Sequence, residues 1–84
     1  MKFNDNSEIR KFALELIKIL EKTGEKNYAN ELKAWSGEFF TTSSEFLGEL
    51  KFILEKISKL EILDNDTKKA IHECIKTIDK AFGN

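Results

Sequence analysis

The stretch SSEFLGELKFILEKI, residues 43 to 57, decides the fold. Phe46, Leu50, Ile53, Ile57 and, beyond the quoted string, Leu60 recur at spacings of three and four, and Leu47 and Leu54 widen the same side. That period belongs to one face of an α-helix, whereas a half-buried strand would alternate every second residue. Thr42 with Glu45 three residues later has capping-box spacing, in which hydroxyl and carboxylate each satisfy an orphan backbone donor. A helix over 43–61 is expected.

Working outward, the same rule finds three more helices. Toward the N-terminus, Ile9, Phe12, Ala13, Leu16, Ile19 and Leu20 form a broad apolar face flanked by Ile17, while Arg10, Lys11, Glu15, Lys18 and Lys22 are expected to face away. Asp5 with Glu8 reads as a capping-box-like start, and Gly24 after Thr23 as the C′ stop, giving a helix over 6–23. Tyr28, Leu32, Trp35 and Phe39, with Ala29 beside them, predict a helix over 25–40, which Gly37 weakens near its end. After a turn around ILDND, Ile71, Ile75, Ile78 and Phe82 mark the inner face of a helix over 65–82, capped by Asp64 or Asp66 and ended by Gly83. Four amphipathic helices on short connections pack most simply as an all-α, small antiparallel four-helix bundle.

The 84 residues suit one domain, which buries roughly 60 to 65% of the surface its unfolded chain exposes. With a single cysteine, Cys74, no internal disulfide can form, so packing alone holds the chain and a cytoplasmic, reducing address is the default expectation. Residues 1 to 20 carry charges throughout and read as neither signal peptide nor membrane span. Fourteen basic against fifteen acidic side chains leave a net charge of −1, which argues against general nucleic-acid binding. The distribution is uneven: residues 34 to 50 hold Glu38, Glu45 and Glu49 with no Lys or Arg, whereas residues 67 to 84 are net positive.

Catalytic and metal signatures are not apparent, and no enzyme activity, cofactor or metal is expected. His72, the lone histidine, falls at the edge of the fourth apolar face and reads as a surface residue; Cys74 reads as a small core residue. DNDTKK at 64–69 begins like a calcium loop but has Lys69 where the loop needs glycine and Ile75 where it needs glutamate. Most glutamates stand near a lysine at helical spacing, which makes solvated faces rather than catalytic carboxylate pairs. Tyr28, Trp35, Phe39 and Phe46 fall at core spacing, so a base-stacking platform is the lesser reading.

Two apolar residues are left over by core packing. Leu14 falls among Arg10, Lys18 and Glu21 on the outer side of the first helix, as single leucines often do. Phe52 lies well outside the Phe46 to Leu60 seam, on an outer strip with Glu45, Gly48, Glu49, Glu55 and Lys56. An aromatic among acids, beside a glycine that admits another backbone, has the composition of a partner-binding patch; the plainer reading is that Phe52 covers another helix of the same bundle.

Two strings, ILEKTGEKNYANELKAW at 19–35 and SSEFLGELKFILEKI at 43–57, resemble small all-helical proteins found beside bacterial toxin genes, including immunity proteins of contact-dependent and related polymorphic toxin systems. The similar features are a leucine-rich first helix closed by Gly-Glu, an alanine with aromatics on the second helix, and Ser-Ser-Glu-aromatic-Leu-Gly-Glu opening the third. The likeness covers about residues 9 to 60, and Tyr28 stands where the family usually has Trp before the alanine. It implies a protein that binds a cognate toxin, often a nuclease with a basic cleft, and blocks it by occlusion, with Phe52 as anchor, Glu38, Glu45 and Glu49 as charge partners, and Gly48 within the patch. The expected alternative is a self-associating adaptor or regulator in which Phe52, Leu14 or Phe40 forms a homodimer seam. A nucleic-acid binder using Lys68, Lys69, Lys76 and Lys80 is a third.

Overall fold

A computed structural model describes residues 6–37 and 43–81, in which four helices follow one another: α1 (Asn6–Lys22), α2 (Lys26–Gly37), α3 (Ser43–Ile57) and α4 (Asn65–Ala81). The chain is an all-α four-helix bundle, with α1 on α2, α2 on α3 and α3 on α4. Contacts across each pair fix the direction. Arg10 near the start of α1 meets Ser36 near the end of α2. Trp35 late in α2 meets Phe46 early in α3, while the earlier Glu31 meets the later Lys56. Lys51 meets Asp79 late in α4, while the later Lys56 and Ser58 share a depression with the earlier His72 and Ile75, so every neighbouring pair runs antiparallel.

The helix ends follow from local chemistry. Gly24 has φ of 86°, and the bonds Gly24 N–H to Glu21 O (3.3 Å) and Glu25 N–H to Leu20 O (2.8 Å) complete a Schellman closure of α1. Thr23 Oγ1 donates to the carbonyls of Ile19 and Leu20 in the same turn. Of the two candidate caps for α4, Asp64 fills the role: its Oδ1 accepts from Thr67 N–H at 2.7 Å, and its backbone oxygen accepts from Lys68 N–H. The caps read at Asp5 and Thr42, the expected end of the second helix at residues 38–40, and Phe39, Phe40, Phe82 and Gly83 lie outside the described residues.

α3 stops at Ile57 rather than at residue 61. Ser58 still bonds to Leu54 O, but Lys59 and Leu60 bond three residues back, to Lys56 and Ile57, and Ser58 Oγ donates to Glu55 O. The tightened turn redirects the chain so that Leu63 is buried and Leu60 packs half-buried on the core. Leu60 therefore keeps its place on the seam without being helical.

The core takes Ala13, Leu16 and Leu20 from α1, Ala29, Leu32 and Trp35 from α2, Leu50, Leu54 and Ile57 from α3, and Ile71, Cys74 and Ile78 from α4. Among the described residues no polar or charged side chain is fully buried, so apolar burial carries the fold. Cys74, read as a small core residue, is wholly buried on the inner face of α4, whereas Ile75, expected on that face, is only half-buried against the core. Burial pushes the Cys74 thiol up to about 12, because an apolar interior disfavours the thiolate.

Arg10 does not face away. It is half-buried, with its guanidinium 5.5 Å from the Trp35 ring and 4.9 Å from the Phe46 ring, and Nη1 donates to Ser36 O at 2.8 Å.

Candidate functional site

The start of α3 is fixed before any function is considered. Trp35 Nε1 donates to Phe46 O at 2.9 Å inside the core, the two rings stand 4.6 Å apart at 33°, and Arg10 lies over both. Farther along α3, Lys51 forms an ion pair with Asp79 of α4, whose Oδ1 is closed off from solvent. The bond to the Asp79 carboxylate raises the Lys51 pKa against a smaller opposing effect of desolvation. Held at its start through Phe46 and at its middle through Lys51, the helix presents a fixed outer strip.

Glu45, Glu49, Phe52 and Lys56 recur at steps of four, three and four, which places them along one line of α3. Phe52 is 60% exposed, against 47% for Leu14 and 55% for Ile62, the other large apolar side chains left open among the described residues. Phe52 therefore does not cover another helix of its own bundle. Glu45 and Glu49 are exposed, Gly48 is half-buried at the edge of the strip, and Glu38 lies outside the described residues.

Phe52 is a ridge between two depressions. The smaller, about 240 Å³ between α2 and α3, is lined by Glu31, Ala34, Trp35, Glu49, Ile53 and Lys56. The larger, about 560 Å³ between α3 and α4, is lined by Glu55, Lys56, Ser58, Lys59, His72, Ile75 and Lys76. Lys56 connects them: its Nζ lies 4.9 Å from the Phe52 ring centroid and 2.7 Å from Glu31 Oε2. Lys59 and Lys76 have no ion-pair partner among the described residues, and neither has Glu49.

The electrostatics thus differ from an aromatic ringed by acids. The strip is acidic from Glu45 to Glu49, whereas beyond Phe52 the charges are mixed, with Glu55 beside Lys56 and Lys59. The Phe52–Lys56 contact is legible as an i, i+4 pair, but the Glu31–Lys56 bridge joins residues 25 apart and has no local signal. His72 is exposed in the larger depression, as its place on the wheel predicts, and the larger depression itself arises only when α3 and α4 are packed.

Among the described residues no three His, Cys, Asp or Glu side chains are grouped to hold a metal ion, and no helix is long and apolar enough to cross a membrane. Comparison with protein-family models, with curated proteins and with solved structures finds no match to this chain.

Proposed function

We propose that this chain is a non-catalytic, cytoplasmic binding protein that neutralises a cognate bacterial toxin domain by covering its active site with the outer strip of α3. The observation that supports this reading is Phe52, an aromatic held 60% open on a helix fixed at its start through Phe46 and at its middle through Lys51. Exposed aromatics on rigid supports lose little conformational freedom on docking and supply much of the affinity of protein interfaces. Glu45 and Glu49 at the acidic end face outward, as contact with the basic cleft of a nuclease requires, and would speed the encounter more than tighten it. Gly48 beside them keeps that end of the strip low enough for a partner backbone. Glu38 belongs to the same acidic set by sequence.

The test is growth rescue. The chain is co-expressed with the product of the neighbouring reading frame, and the purified pair is measured for affinity. Wild type restores growth, Phe52→Ala weakens binding by about thirtyfold or more, as loss of a hot spot does, and Glu49→Lys slows association most strongly at low salt. Rescue and affinity left intact in a Glu49→Lys, Phe52→Ala double variant of unchanged helix content would remove the strip as the site.

A further inference from the structure

The strip carries a pattern that a single docking surface does not need. Along α3 and its closing turn the outward positions read Glu49, Phe52, Glu55, Lys56, Lys59, and the outermost pair, Glu49 and Lys59, exchanges acid for base about the midpoint. Turned end over end about a twofold axis near residue 54, Glu49 falls on Lys59 of a second copy, and each Phe52 falls on the other copy's Lys56. A surface with this property is complementary to itself, which is what an isologous interface requires. Glu49 and Lys59 are both exposed and have no ion-pair partner among the described residues. Phe52 already accepts an ammonium over its ring.

We infer that the free chain self-associates as an antiparallel twofold dimer through α3, in which Glu49 pairs with Lys59 of the second copy and the two Phe52 rings are covered. The inference goes beyond the proposed function: the dimer hides the residues on which a toxin would dock, so partner binding and self-association compete. The matched strip is about 15 Å long, and the interface belongs to the small, transient class. A dimer of micromolar to millimolar dissociation constant follows, one that a tight partner displaces.

Sedimentation equilibrium between roughly 10 µM and 1 mM covers that range. The average mass rises from 9.7 kDa toward twice that value in wild type, and Phe52→Ala remains monomeric. Glu49→Lys puts lysine against lysine at both symmetry-related contacts, and Lys59→Glu puts acid against acid, so each variant alone self-associates about five- to thirtyfold more weakly. Mixed together, the two variants restore an attractive pair at both contacts and form a heterodimer of near wild-type strength. A monomer throughout the range overturns the inference, as does a dimer indifferent to Phe52→Ala or a mixture that does not recover. Circular dichroism and the melting midpoint, unchanged in all three variants, exclude loss of fold. Growth rescue is read separately, so a monomer that still rescues sinks the dimer alone, and a dimer that never rescues sinks the toxin reading alone.

Discussion

At the scale of single residues, the cluster of Arg10, Trp35 and Phe46 shows most clearly how three helices are locked together. Trp35 contributes a buried ring and one N–H, and the N–H reaches a carbonyl inside α3 rather than water. The helix ladder uses the other lone pair of that carbonyl, so removing the donor weakens its satisfaction without orphaning it. Trp35→Phe, which keeps most of the ring, is expected to cost about 1 kcal/mol in urea unfolding followed by circular dichroism. A loss near zero would show that the ring alone holds the contact. Local periodicity places Trp35 and Phe46 in the core correctly, yet it sends Arg10 to solvent because its wheel position lies beside Lys11. The guanidinium returns because two aromatic rings from other helices meet above it, with the nearer of them 25 residues away in the chain. A pattern read over seven residues contains no trace of that.

At the scale of elements, the ends of the helices separate what chain chemistry dictates from what packing adds. Gly24 is a stop that any reading of residues 6 to 24 finds, and its left-handed φ is the reason. No atom lies within 4 Å of an added Cβ there, so Gly24→Ala tests backbone strain alone and should lower stability by about 1 kcal/mol in the same urea assay. Asp64 is a second legible stop, chosen by the structure from two candidates. The Thr67 N–H it accepts holds its carboxyl below the ordinary carboxylate value, so the folded chain keeps the charged form to lower pH than the unfolded chain does. That stabilisation is present above the unfolded pKa and disappears as pH falls through the folded one. Asp64→Asn retains a capping oxygen and does not titrate; its stability deficit relative to wild type should therefore shrink as pH falls from neutrality through the acid range. A deficit constant with pH would assign the effect to geometry instead of charge. The end of α3 is the contrary case, because Leu60 and Leu63 preserve the apolar period through a turn. Periodicity records which residues reach the core and is silent about the backbone that brings them there. The same limit applies to the strip. Phe52 as an outward aromatic, with Lys56 one turn on, follows from the wheel, whereas His72 and Lys76 join its surroundings only once α4 is in place.

For the whole molecule, the question is whether the strip and the core are separate systems, and Cys74 reports on it. A chain of this length has a total stability of about 4 to 13 kcal/mol, so a single core truncation removes a large share. Leu50, wholly buried on the inner side of α3, should cost about 3 kcal/mol when changed to alanine. Cys74 is buried in the same core, and with its thiol pushed up to about 12 almost no thiolate exists in the folded chain at pH 8. Modification by a thiol reagent at that pH must wait for the chain to open, where the thiol regains an ordinary value near 8.5. The labelling rate therefore follows the opening equilibrium, and Leu50→Ala should raise it by about a hundredfold. The raised folded pKa also means that stability is full below the unfolded value and is lost as pH climbs from about 8.5 toward 12, since only the unfolded thiol gives up its proton in that window. Lys51, raised by its bond to Asp79, acts in the same direction at the alkaline end. Phe52→Ala, Glu49→Lys and Lys59→Glu touch none of these groups and should leave the Cys74 labelling rate of the monomer at its wild-type value. Should any of them accelerate labelling as strongly as Leu50→Ala, the strip would be part of what holds the bundle together, and its exposed aromatic would need no partner to explain it.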